Sequence, residues 1–109
     1  MFLILNNQRI KVSVANSFYK RLTGFMGKKN INSGLIFKHC NSIHTFFMKE
    51  NIDIVAINRN KEVIFKIENL EKNKIINVKN PIKNTSIIEL PKYTSKSIKI
   101  GDYLTFVRE

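Results

Sequence analysis

The chain has 109 residues, 43% of them hydrophobic, with eight Phe, one Cys and a formal charge of +11 from 19 basic and 8 acidic residues. That length fits one domain, spanning residues 1–109, able to bury a core without metal or disulfide support, and the apolar content excludes a disordered chain. A single cysteine excludes an intramolecular disulfide, and no stretch approaches the ~18 apolar residues of a membrane-crossing helix.

In chain order, "FLIL", "NNQ" and "RIKVSV" predict a β-hairpin, because Ile10, Val12 and Val14 alternate with Lys11 and Ser13. In "ANSFYKRL", Asn16 or Ser17 can cap a short helix carrying Phe18, Leu22 and Phe25 at helical spacing. "TGFMGKKNINSG" is a loop punctuated by Gly24, Gly27 and Gly34, and "GLIF" a short buried strand. "SIHTFFM" is expected to be a strand, being rich in β-branched and aromatic residues. "IDIVAIN" and "EVIFKIENL" form a hairpin across "NRN". The stretch around Pro81 is polar and irregular, and "SIIEL" is a further strand. Pro91 suits the first position of a short helix or turn ending near Gly101, and "YLTFV" closes the chain as a strand. The fold class expected is a β-rich α+β domain: a strongly curved antiparallel or mixed sheet, or a small open barrel, of about seven strands with one or two short helices.

The charge is unevenly spread. Residues 1 to 49 hold eight Lys or Arg and no Asp or Glu. Such a field attracts anionic ligands, acidic proteins, polyanions or anionic membrane surfaces. The abundance of Ile, Lys and Asn also matches adenine- and thymine-rich codons, under which the lysines are a solvated surface. The N-terminus has only a five-residue apolar run, without a basic region or small-residue cleavage site, so no signal peptide is expected and the chain is read as soluble, cytoplasmic and monomeric.

"HCNSIHTFFMKE" gathers Cys40, His39 and His44. On one regular strand Cys40, Ser42, His44, Phe46 and Met48 share a face, and Cys40 and His44 stand about 13 Å apart at ~3.3 Å per residue. They can meet as a nucleophilic dyad only if "HCNS" turns first. Structural zinc asks for four ligands in close pairs, which this chain does not offer. A weak transition-metal site from His44, Cys40, Met48 and a carboxylate is the metal alternative, and no cofactor is expected. The plainer reading makes Cys40 a small buried hydrophobe and His44 a hydrogen-bonded sheet histidine.

"YKRLTGFMGKK" offers glycine N–H groups and Arg21 to an anion, without the spacing of a phosphate-binding P-loop. Nucleic-acid binding would need exposed aromatics among the lysines, with Phe18, Tyr19, Phe25, Tyr93 and Tyr103 as candidates. Asp53, Glu89 and Asp102 are the carboxylates in or beside strands, and Asp102 reads as a turn residue.

The order "RLTGFMGKK…GLIF…IHTFFMKENIDIVAIN…IIELP…IKIGD" resembles the family called domain of unknown function 192. Its R-L-x-G-L-M-x-R, aromatic-aromatic-M-K, L-D-I, L-E-L-P and G-D elements fall on Arg21, Leu22, Gly24, Met26, Phe47, Met48, Lys49, Asp53, Glu89, Leu90, Gly101 and Asp102, and its G-M-L-F-like strand on Gly34 and Phe37. The likeness runs from about Arg21 to Val107. Phe25 replaces the usual Leu, and Glu50-Asn51 replaces a frequent N-T pair. The resemblance implies a mostly β domain with helices at its side and imports no activity.

The function expected is a small binding or interaction module. It recognises an anionic ligand or protein partner through a basic face or a pocket formed by Arg21, Met26, His44, Met48, Lys49 and Asp53. The alternatives are a small enzyme or a metal- or redox-responsive protein using His44 and Cys40, and a nucleic-acid-binding protein.

Overall fold

The computed structural model describes residues 1–6, 8–15, 27 and 31–108. Among these residues nine strands follow in order: β1 Phe2–Leu5, β2 Gln8–Val14, β3 Gly34–Lys38, β4 Ser42–His44, β5 Ile52–Asn58, β6 Val63–Leu70, β7 Ile75–Asn77, β8 Thr85–Pro91 and β9 Thr105–Val107. Seven of them form one mixed sheet in the order β6-β5-β8-β3-β2-β1-β9, and β4 pairs with β7 separately.

Local pattern explains the hairpins. In β2, Ile10 and Val12 are buried while Lys11 and Ser13 are exposed, the alternation of a strand with one wet face. Residues 52–57 of β5 are all buried, because this strand lies between β6 and β8 with both faces covered. Long-range pairing sets the rest. β2 and β3 run parallel, Val12 beside Gly34, and Gly34 has no room for a side chain unless its neighbours shift. A Cβ at that position would lie 2.8 Å from Val12 Cγ1 and 2.9 Å from Leu90 Cδ2.

The sheet curls into a half-barrel. The segment before β9 meets the start of β6: Val63 N–H donates to Asp102 O (2.8 Å), Gly101 N–H to Val63 O (2.8 Å) and Leu104 N–H to Lys61 O (2.9 Å). Leu3, Leu5, Val12, Ile36, Val55, Val63, Ile88, Leu90, Ile98 and Leu104 make one core cluster against the inside of this curl. A second cluster, with Leu35, Phe37, Ile52, Ile54, Ala56 and Ile87, lies on the other face, where Ile43, Met48 and Val78 pack over it.

Several expectations are narrowed or changed. Of the short helix or turn predicted after Pro91, the turn forms and no helix does: residues 92–97 are a run of turns. Pro91 is the last residue of β8, Tyr93 takes φ 71°, which an α-helix cannot accommodate, and the N–H groups of Tyr93 and Ser95 are held by the Asp53 carboxylate. The helix predicted around Phe18 lies outside the described residues, among which the only helical piece is a 3-10 turn at Ile82–Asn84. The strand predicted through Met48 ends at His44. The stretch expected to be irregular before Pro81 supplies β7, which pairs with β4. Among the described residues no helix is long and apolar enough to cross a membrane.

Candidate functional site

The chain leaves β4 at His44 and makes a tight knuckle before β5. Thr45, fully buried, fixes it. Its N–H donates to Lys74 O (2.9 Å) and its hydroxyl donates to Glu71 O (2.8 Å). That hydroxyl also accepts from Lys74 N–H (2.9 Å). Thr45 O accepts the N–H groups of Met48 (3.3 Å) and Asn73 (3.2 Å), closing the turn and pinning the 71–74 loop to it. These backbone groups would be costly to bury unpaired, so one threonine holds two loops together.

At the tip stands Phe47, with φ 63°. A bulky residue in the left-handed region is uncommon and carries a steric cost of ~1–2 kcal/mol. The conformation does not serve burial, because Phe47 is 73% exposed. Its carbonyl accepts Gly27 N–H (2.9 Å), and nearby Glu50 Oε1 accepts Ile31 N–H (3.2 Å). The His44 and Phe46 rings stack with centroids 5.3 Å apart. His44 Nδ1 accepts Phe46 N–H (3.2 Å), which places the ring proton on Nε2 when His44 is neutral. Across the two-stranded ladder His44 faces Ile75, which is 61% exposed. The inward partners Ile43 and Ile76 pack on the second core cluster. Lys49, at the end of the knuckle, and Lys72 and Lys74, in the 71–74 loop pinned to Thr45, are all exposed.

The predicted site residues separate. Arg21 and Met26 lie outside the described residues. His44 is half-buried on the knuckle, Lys49 is exposed, and Met48 points into the core. Asp53 is fully buried on the inner face of β5. Its Oδ1 accepts the N–H groups of Asn69 (2.8 Å) and Tyr93 (3.0 Å), and its Oδ2 accepts the N–H (2.9 Å) and hydroxyl (2.5 Å) of Ser95. Four donors from the protein compensate the buried charge, and the carboxylate ties β6 and the 92–97 turns to β5.

Cys40 and His44 do not share the face of one strand. Cys40 precedes β4 and its thiol donates to Ser42 O (3.1 Å), while His39, with φ 53°, is linked through Nδ1 to Lys83 O (3.1 Å). Among the described residues no three His, Cys, Asp or Glu side chains gather as metal ligands would.

Glu89 is the outlier of the core. It sits on β8 between Leu35 of β3 and Ile54 of β5, 3% exposed, and its Oε1 has no hydrogen-bond partner. Burial pushes its carboxyl up from 4.5 to about 8, so the neutral acid is the form the fold holds at neutral pH. The sequence marked Glu89 as a strand carboxylate and gave no sign of its isolation. It gave none of Thr45 or Phe47 either, because both fit a strand pattern.

Comparison with known proteins fits this architecture. A UPF0127 protein of Pyrococcus furiosus is 34% identical over 108 residues, covering 92% of this chain and 90% of the relative. A UPF0127 protein of Thermococcus sibiricus is 35% identical over 60 residues, half of this chain, and the match spans 39% of that relative's length. The crystal structure of a putative transcription regulator from Sinorhizobium meliloti superposes with a TM-score of 0.80 at 20% identity, over 95% of this chain and 89% of that one, a likeness of fold. The family model of DUF192, an uncharacterised ACR family, matches residues 2–106, and the chain belongs to that family.

Proposed function

We propose that this protein is a small interaction module that recognises an anionic partner, an acidic protein segment foremost, through the knuckle at residues 44–49. The observation that carries the reading is Phe47: an aromatic side chain held in a costly backbone conformation with most of its surface in water. Strain of this kind persists where it serves a site. The stacked His44 and Phe46, the exposed Ile75 and the lysines 49, 72 and 74 supply an apolar centre with a cationic surround, the make-up of a recognition patch. In this reading Arg21 and the basic N-terminal half extend the attraction, and Met48 supports the patch from within, while Asp53, on the opposite face of β5, anchors the fold apart from it. The chain is taken to act as one domain, as a monomer and in the cytoplasm, in keeping with its single cysteine.

The test is an NMR titration of the full chain with an acidic, aromatic-containing peptide. Saturable shifts centred on residues 44–49 and 75, weakened about tenfold or more by Phe47→Gly and diminished by salt, are expected. Shifts absent from the knuckle, or insensitive to Phe47→Gly, overturn the reading.

A second reading, single-stranded nucleic acid, rests on the same exposed aromatic beside lysines, since bases stack on such platforms. An oligothymidylate that outcompetes the peptide, with affinity falling steeply with salt, would favour it. An enzyme or redox-responsive role for His44 and Cys40 has less support, because each already has a local hydrogen bond and none joins the two.

A further inference from the structure

A separate hollow opens at one end of the half-barrel. Lys38 of β3, Ser86 of β8 and Ile57 of β5 lie in one row across three neighbouring strands. Ile36 lies one pleat deeper on the same face, and Phe106 of β9 also lines the space, which has a volume of about 250 Å³. Ile36 and Ile57 are buried and Phe106 packs against the inner core, so the floor is apolar. Lys38, Arg59 and Lys61 also line it, and among the described residues none that lines it is a carboxylate.

Two of the cations, Arg59 and Lys61, are positioned by the structure around them. Arg59 donates from Nε (3.2 Å) and Nη2 (2.7 Å) to Asn84 Oδ1, which fixes its guanidinium at the end of the β5–β6 turn. Lys61 has φ 65°, where glycine would sit more easily, and its ammonium lies 5.9 Å from the centroid of the Phe106 ring. Asn58 organises the turn, accepting the N–H groups of Asn60 (2.9 Å) and Glu62 (3.0 Å) on Oδ1. Its Nδ2 donates to Glu62 Oε1 (3.1 Å), so the one carboxylate of the turn has its own partner.

We propose that this barrel mouth binds a small amphipathic anion, its apolar body on Ile36, Ile57 and Phe106 and its carboxylate or phosphate head between Lys38, Arg59 and Lys61. Three like charges around one hollow repel each other, and an anionic head relieves that repulsion. A bare inorganic anion leaves the apolar floor wet, and a neutral hydrocarbon leaves the cations unmatched. A hollow of this size suits a body no larger than a short chain or single ring. The site is independent of the Phe47 knuckle.

The test uses the full chain and octanoate as probe, followed by NMR and calorimetry, with acetate, inorganic phosphate and octanol as comparisons. Expected is saturable one-to-one binding of octanoate that shifts Ile36, Ile57 and Phe106 and leaves residues 44–49 unmoved. Acetate, phosphate and octanol each bind at least tenfold more weakly. Lys38→Gln and Lys61→Gln are exposed changes that keep the wild-type melting temperature, and each weakens octanoate about tenfold. Absence of saturable binding at millimolar octanoate, phosphate binding as well as octanoate, or unchanged affinity in the Lys38→Gln, Lys61→Gln double variant each overturns the proposal. An octyl phosphate that binds more tightly than octanoate identifies the head as phosphate; the reverse identifies a carboxylate.

Discussion

The carboxylate of Asp53 receives both the backbone N–H and the hydroxyl of Ser95, forty-two residues away, at 2.9 and 2.5 Å. Neither residue is accessible to water. Removing the acceptor strands the N–H groups of Asn69, Tyr93 and Ser95 as well. Asp53→Ala is therefore expected to cost at least ~3 kcal/mol, and Ser95→Ala about 2 kcal/mol, in urea unfolding. An Asp53→Ala variant as stable as wild type would remove its anchoring role.

Glu89 makes stability depend on pH. Its folded value of about 8 lies above the ordinary 4.5, so the native state holds a proton that the unfolded chain releases over this interval. The stability is full below pH 4.5 and falls as pH rises toward 8, with a slope approaching ~1.4 kcal/mol per pH unit where the two states differ by a whole proton. Glu89→Gln, uncharged at every pH, is expected to match wild type near pH 4 and to exceed it at pH 9. Urea midpoints of both proteins across that range decide; parallel curves would mean that Glu89 is solvated.

Gly34 marks a close approach of three strands. Gly34→Ala pushes a methyl group against Val12 and Leu90, and is expected to lower stability by about 1–3 kcal/mol. A melting temperature within error of wild type would show that β2 and β8 move apart freely.

Phe47→Gly separates stability from recognition. Glycine adopts the left-handed conformation at no steric cost, so the variant should gain about 0.5–1 kcal/mol. The same change deletes the aromatic surface and with it the peptide affinity of the knuckle. A variant that is destabilised would show Phe47 to be a packing residue.

Thr45→Val keeps the shape and removes a hydroxyl that donates to Glu71 O and accepts from Lys74 N–H. A loss of about 1–3 kcal/mol is expected, with faster hydrogen exchange at the 71–74 amides than at β5. Unchanged exchange there would mean that the backbone bonds of Thr45 alone hold the loop.

What the sequence determined by itself is local. Alternation in residues 8–14 predicts a half-wet strand, "IDIVAIN" a strand in a hairpin with "EVIFKIENL", and "SIIEL" a further strand, because side chains repeat every two residues along a strand whatever lies beside it. The order of the family-like elements was likewise legible. Tertiary structure decided the rest. The parallel pairing of β2 with β3 and the closure of residues 101–104 on β6 join segments far apart in the chain, and nothing in either segment names its partner. The signals after Pro91 fit a short helix or a turn, and the turn is what forms, with Tyr93 at φ 71° and the N–H groups of Tyr93 and Ser95 held by Asp53, a distant side chain. Phe46 and Phe47 carry strand propensity, yet the backbone turns because Thr45 is held by residues 71–74. Propensity is worth tenths of a kcal/mol per residue, whereas a buried hydrogen bond left unmade costs ~1–3 kcal/mol, so where the two compete the distant partner wins.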